Sequence, residues 1–136
     1  DLCCGYGLLT AAILKQSTPI KHVHMVEAEG IALTCAQKNL QGYENVSYYH
    51  VDAREEALPK HLDWIVCNPP FHTGQARDVE LGQTIVTRAC ECLKFNGELY
   101  LVANRQLPYE RILKTLLREV ECVAVGNGFK VIRGKK

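Results

Sequence analysis

The chain has 136 residues, 47% of them hydrophobic, which suits one globular domain that can bury a core. Lys and Arg number 16 against 15 Asp and Glu, a formal net charge of +1, so bulk charge marks out neither nucleic acid, a membrane surface nor an acidic ligand. No run approaches the roughly 18 apolar residues of a membrane span, no basic-then-apolar leader precedes the fold, and none of the seven cysteines forms a C-x-x-C pair. That cysteine pattern fits a reducing cytosol better than a secreted disulfide framework, and the seven cysteines are expected to be small buried residues and not nucleophiles.

In chain order, Asp1-Leu2-Cys3 reads as the end of a strand whose earlier residues are missing, so the chain is expected to be an N-terminally truncated piece. A glycine-containing turn, Cys4 to Gly7, leads to a helix over Leu8 to Leu14 that Ser17-Thr18-Pro19 stops. His22 to Glu27 alternates as a strand, Ile31 to Leu40 has helical spacing, and Val46 to Val51 is a third strand. Leu62 to Cys67 is a fourth strand and Val79 to Leu93 a helix. Asn96-Gly97 is expected to turn the chain into a fifth strand, Glu98 to Ala103. Pro108 opens a further helix, and Glu119 to Val125 meets Phe129 to Ile132 in a hairpin across Gly126-Asn127-Gly128. Alternating strands and helices predict an α/β fold of βαβ units, a mostly parallel sheet with helices on both faces, closed by an antiparallel hairpin. No repeat, low-complexity tract or linker divides it, so residues 1–136 are expected to form a single domain.

Ligands of such sheets bind at the carboxyl ends of the strands, and four successive strands end in suggestive residues. Gly5 and Gly7 lie where the first strand enters the first helix; they let a ligand approach the backbone and its free N–H groups, although a bare tight turn has the same chemistry. Glu27, about 20 residues on, can accept two hydrogen bonds from the paired hydroxyls of a ribose. The G-x-G-x-x-G fingerprint is incomplete, since Cys3, Gly5 and Leu8 stand at its positions, and a nicotinamide dehydrogenase is disfavoured. Asp52 can accept from an adenine amino group or cap the turn that follows it. Asn68-Pro69-Pro70-Phe71 fixes two φ angles and removes two backbone donors, leaving a rigid loop rich in acceptors beside a flat apolar ring. A planar amine suits it, and so does a plain proline-stiffened turn. Together these residues point to one nucleoside cofactor and one amine acceptor.

With these residues the chain resembles the class I S-adenosylmethionine-dependent methyltransferases that carry an N-P-P-[FY] motif, and among them the bacterial ribosomal RNA guanine-N2 enzymes. The resemblance runs from Asp1-Leu2-Cys3-Cys4-Gly5-Tyr6-Gly7 through Asn68-Pro69-Pro70-Phe71-His72 and Asn96-Gly97-Glu98-Leu99-Tyr100-Leu101-Val102-Ala103-Asn104 to Phe129-Lys130-Val131. It implies a Rossmann-like methyltransferase fold with a truncated first strand, S-adenosylmethionine as cofactor, and ribosomal RNA or a ribosomal subunit as partner. It further implies that Asp1, Cys3, Gly5 and Gly7 line the methionine part of the cofactor, Glu27 with Ala28 holds the ribose, and Asp52 and Ala53 border the adenine. Asn68 and Pro69 would accept hydrogen bonds from the target amine, with Asn68 also bordering the cofactor; Pro70 would hold the loop and Phe71 would stack on the base. Cys3 departs from the family, which carries glycine there. The same motif serves adenine-N6 and protein-glutamine methyltransferases, and a noncatalytic piece that binds RNA or a partner is a further reading. His22 and His24 share a strand face without a third ligand, so no metal is expected. Arg105 is placed to meet phosphate, and Lys130, Arg133, Lys135 and Lys136 read as a basic tail. Oligomeric state is not legible.

Overall fold

Parallel strands need a crossover between them, and the chain spends its helices on such crossovers. The structure is a computed structural model that describes residues 1–16, 19–71 and 76–136, the side chains of 76–78 excepted. Ser17-Thr18 and His72 therefore lie outside the described residues. Two compact units are formed, Asp1–Ala57 and Leu58–Lys136.

In the first unit, α1 (Leu8–Leu14), β1 (Val23–Glu27), α2 (Gly30–Asn39) and β2 (Val46–His50) follow one another. β1 and β2 are parallel, from Val23 opposite Val46 to Glu27 opposite His50. The opening residues pair as the sequence predicts: Leu2 forms a parallel bridge with Val26. The Asp1 carbonyl accepts from Val26 N–H at 2.9 Å, and Cys4 N–H donates to the Val26 carbonyl at 3.1 Å. Buried Cys4, Met25, Leu33, Ala36 and Leu40 form the core between strand and helix. Gly7 caps the start of α1 at φ 86°. A Cβ there would meet Met25 Cε at 3.2 Å, so the close seating of α1 on β1 also excludes larger residues.

The second unit contains β3 (Leu62–Cys67), α3 (Ala76–Cys92), β4 (Leu93–Asn104), α4 (Tyr109–Leu116), β5 (Glu119–Gly126) and β6 (Phe129–Lys135). Its sheet has the order β3-β4-β6-β5. β3 and β4 are parallel, while β6 is antiparallel to both β4 and β5. Alternate residues Leu99, Leu101 and Ala103 of β4, with Ile65, Cys67 and Ile132, are buried. Ile85, Val86 and Ala89 of α3 and Tyr109, Leu113 and Leu117 supply the helical side of that core. The Asn127-Gly128 turn has φ 50° and 80°, as a two-residue hairpin loop requires.

Three expectations are corrected. Asn96-Gly97 does not separate a helix from a strand, because β4 already begins at Leu93. Between Leu62–Leu93 and Trp64–Glu98 the pairing advances two residues on β3 and five on β4, so the segment is a bulge. Asn96 takes the left-handed φ of 63°. Gly97 is needed for a different reason: a Cβ there would sit 2.8 Å from the Leu62 carbonyl oxygen. Nor are the basic residues a free tail. Lys130 donates to Glu110 at 2.6 Å, Arg133 forks between Glu98 and Glu121, and Lys136 Nζ donates to the Cys90 and Leu93 carbonyls at 2.9 Å each, capping α3. Cys4, Cys67, Cys90 and Cys92 are buried as expected, but Cys35 and Cys122 are exposed and Cys3 is half-buried.

α3 approaches α4 closely at Gly82, where a Cβ would fall 1.9 Å from the Tyr109 hydroxyl. Gly82→Ala is expected to lower stability by about 1–3 kcal/mol through overpacking. Urea titration should show a smaller cost of the same change in a Tyr109→Phe background, because part of the collision is then removed.

Candidate cofactor and acceptor site

The first unit gathers its site residues at the carboxyl ends of adjacent parallel strands. Asp1 precedes the bridge to β1, and its Oδ2 accepts from Thr10 Oγ1–H at 2.7 Å and Thr10 N–H at 3.2 Å, tying the strand end to α1. The turn between them has Cys3 at φ 59° and Gly5 at φ 53°. A Cβ on Gly5 would meet nothing within 4 Å, so the turn backbone faces open space, as close approach by a ligand requires. Cys4 points into the core, where burial, with the negative charge of Glu27, pushes its thiol up to about 12. It is a packing residue and not a nucleophile.

Glu27 ends β1 and holds the turn in place. Its Oε2 accepts from Gly5 N–H at 2.8 Å and its Oε1 from Glu29 N–H at 2.9 Å. Each carboxylate oxygen retains a second lone pair, so two ribose hydroxyls can be accommodated without releasing either backbone donor. Ala28 lies between these anchors, its carbonyl 3.0 Å from His50 Nε2. Val51 N–H donates to the Glu27 carbonyl at 3.1 Å, which carries the ladder to the end of β2 and sets Asp52 beside Glu27.

Asp52 fulfils the capping alternative. Its Oδ1 accepts from Arg54 N–H at 2.9 Å, and Glu56 Oε1 accepts from Asp52 N–H at 2.7 Å, a reciprocal pair that closes the turn. Arg54 also folds back on the carboxylate: Nε lies 2.9 and 3.0 Å from the two oxygens, and Nη2 donates to Oδ2. That guanidinium hydrogen bond holds the Asp52 carboxyl down at about 2 against a weaker upward push from burial. Ala53 is buried beneath the turn. Arg54 escaped the sequence reading, although its position two residues after an Asx residue at a strand end was the available signal.

In the second unit, β3 ends at fully buried Cys67 and runs straight into the acceptor loop. Asn68 is exposed, Pro69 buried, and Pro70 and Phe71 half-buried. Burial of Pro69 anchors the loop while the exposed Asn68 amide offers its acceptor to solvent. The histidines make no metal cluster: His22 Nε2 is 2.9 Å from Ser47 Oγ and His24 Nδ1 is 2.9 Å from Tyr49 Oη. Among the described residues no group of three or more His, Cys, Asp or Glu could hold a metal ion. No described helix is long and apolar enough to cross a membrane.

The sequence pattern of the methyltransferase small domain matches residues 1–133. The chain belongs to that family. It is 33% identical over 136 residues to the ribosomal RNA small subunit methyltransferase C of Pseudomonas syringae, covering 100% of this chain and 41% of that protein. The T. thermophilus 16S rRNA N2 methyltransferase RsmC, in complex with AdoMet and guanosine, superimposes with a TM-score of 0.83 at 30% identity, over 100% of this chain and 36% of that one. The S-adenosylmethionine-dependent O-methyltransferase of Thermotoga maritima shares the fold at 16% identity, with a TM-score of 0.77 over 97% of this chain and 56% of that one. The chain thus has the Rossmann-like methyltransferase fold, and S-adenosylmethionine is the cofactor of its family. It spans about two fifths of the length of the curated relative.

Two consequences can be measured. Removing the guanidinium in Arg54→Ala should return the Asp52 carboxyl from about 2 towards the ordinary value of about 4, read by carbon-detected NMR titration. The depressed carboxyl favours the folded state above its unfolded pKa, and that contribution fades as the pH falls through the folded value. Cys3→Gly should raise stability by about 1 kcal/mol in urea titration, because an L side chain in the left-handed region is strained and glycine is not.

Proposed function

We propose that this chain is the catalytic domain, or part of it, of an enzyme that transfers a methyl group from S-adenosylmethionine to an exocyclic amine, with guanine N2 of ribosomal RNA as the acceptor. The observation that carries the cofactor half is the Glu27 carboxylate, pinned by Gly5 and Glu29 with lone pairs to spare beside an open glycine turn. In this reading Asp1, Cys3, Gly5 and Gly7 border the methionine end, Glu27 and Ala28 the ribose, Asp52 and Ala53 the adenine, and Asn68 the methyl-bearing end. Adenine gains the Asp52 carboxylate only as the Arg54 fork loosens or shares it.

Bound S-adenosylmethionine supplies a methyl group already activated on a sulfonium. The chain's own residues align the amine: the Asn68 side-chain oxygen and the Pro69 carbonyl accept its two hydrogens. They also face the positive charge that grows on nitrogen, an electrostatic contribution set before reaction. Pro69 and Pro70 keep both acceptors from relaxing, and Phe71 supports the ring. Alignment of this kind is worth on the order of 7 to 11 kcal/mol in well-oriented reactions. An exocyclic amine inside a duplex is out of reach of this loop, so the base enters unstacked. The preference for guanine N2 over adenine N6 or a glutamine amide rests on the resemblance to the T. thermophilus 16S rRNA N2 methyltransferase, and that for ribosomal RNA also on the Pseudomonas syringae relative.

Calorimetry and methyl-transfer assays separate the two halves. Glu27→Gln should weaken S-adenosylmethionine binding at least tenfold and also lower the melting temperature, because the amide nitrogen cannot accept from one of the two backbone N–H groups that the carboxylate holds. Asn68→Ala should leave that affinity nearly intact and lower kcat roughly 10²–10³-fold on ribosomal RNA. Equal losses of binding and turnover on changing Asn68 would remove it from the role of acceptor.

A further inference from the structure

Strands β4 and β6 continue beyond the end of β3. Cys67, the last residue of β3, pairs with Leu101, which pairs with Ile132, and the β4–β6 ladder then runs on to Asn104 opposite Phe129. Three further residues at about 3.3 Å each make a wall roughly 10 Å tall beside the point where the Asn68-Pro69-Pro70-Phe71 loop departs. At the top of this wall Arg105 N–H donates to the Gly128 carbonyl at 2.9 Å, fixing Arg105 against the β5–β6 turn.

Phe129 occupies the wall's end in an unusual state. It is 46% exposed, although the next residue, Lys130, is 8% exposed. Alternation along β6 puts Phe129 on the face opposite Lys130, which is drawn to Glu110 on α4. Across β5 its partner is Gly126, which has no side chain to cover the ring, and across β4 it is Asn104. Arg105, next to Asn104, is exposed. An open aromatic ring, an amide and a cation thus stand together at the carboxyl edge of the sheet, on the strands next to the acceptor loop.

We propose that Asn104, Arg105 and Phe129 form a docking surface for single-stranded RNA, holding the nucleotide that flanks the methylated base. The inference rests on the methyl-transfer reading above and extends it from the target base to its neighbour. A base extruded into the acceptor loop leaves its neighbour unstacked, and an aromatic face replaces the lost stacking for any base. Arg105 meets the phosphate between the two nucleotides, and Asn104 offers a donor and an acceptor to sugar or base edge. An aromatic ring beside an arginine also suits protein partners, but this one stands on the strands next to the acceptor loop, where the neighbour of an extruded base would lie, and that position favours RNA.

The test uses the full chain, S-adenosylmethionine, and a fluorescein-labelled single-stranded guanosine-containing RNA heptamer. Phe129→Ala and Arg105→Gln should each weaken heptamer binding on the order of tenfold, and Arg105→Gln should reduce the slope of log affinity against log salt by about one. Both variants should bind S-adenosylmethionine as the unaltered chain does. Phe129→Trp should restore heptamer affinity, separating stacking from packing. Heptamer affinity unchanged in both variants overturns the proposal, as does failure of the intact, cofactor-binding chain to bind the heptamer at all. A glutamine-containing peptide captured in place of RNA, and lost in the same variants, also overturns it in favour of a protein acceptor. Failure of the intact chain to bind S-adenosylmethionine instead strikes the methyl-transfer reading itself.

Discussion

Glu27 accepts from Gly5 N–H and from Glu29 N–H with the two oxygens of one carboxylate, and the first unit's site is organised around that grip. The glycine turn approaches β1 only through the short ladder that Asp1, Leu2 and Cys4 make with His24 and Val26. Beyond that ladder the backbone turns through left-handed conformations and has no sheet partner. A carboxylate at the end of β1 supplies one, and a charged acceptor makes a stronger bond than a carbonyl would. Under the proposed function the ribose-binding group and a fold-determining group are the same residue. A ribose that bonds to Glu27 therefore also senses, and steadies, the turn that would face the rest of the cofactor.

Local pattern made much of the fold legible. Leu62 to Cys67 reads as a strand because its apolar run is short and ends in two prolines, and the structure assigns the same six residues. Leu8 to Leu14 reads as a helix from its composition and its glycine start, and is one. What the sequence concealed depends on partners far away in the chain. The bulge at Asn96 and Gly97 exists because β4 must pair with Leu62 on one side and Lys136 on the other, which no local window contains. Lys130, Arg133 and Lys136 read as a tail because their anchors, Glu110 for the first, Glu98 and Glu121 for the second and the Cys90 and Leu93 carbonyls for the third, lie up to 46 residues earlier. Glu27 stands out in the sequence by its spacing from the glycines, while its backbone hydrogen bonds do not; nor does Arg54, since a guanidinium two residues from an aspartate has no fixed consequence until the turn closes.

The ion pairs differ in what they contribute. Arg54 and Asp52 have side chains 46% and 28% exposed, and a pair so wetted adds little to stability. Its value lies in orientation, for it holds the Asp52 carboxylate ionised and in one plane at the strand end. Lys130 and Glu110 are different: the lysine side chain is 9% exposed, and its removal would leave a carboxylate partly buried without its cation. That pair joins β6 to the first turn of α4 and sets the sheet face from which Phe129 is excluded. A structural ion pair on one side of β6 thereby decides what is displayed on the other.

Local rules are broken both at the carboxyl edge of the strands and at the opposite end of β3 and β4. Cys3 adopts a backbone conformation that suits glycine, Asn96 and His61 do so in the second unit, and Phe129 exposes an aromatic ring. The Asn96 strain is explained by the bulge it forms. The strain at Cys3 has no packing return, because its side chain is half-exposed and forms no disulfide. Under the proposed function a thiol there would lie at the methionine end of the cofactor, while the backbone at Gly5 stays open. Relatives with glycine at that position would have a less strained turn. The hydrogen bonds of Glu27 to Gly5 and Glu29 do not involve the Cys3 side chain, so in the proposed site the ribose contact would be kept while the fit around the methionine group changes.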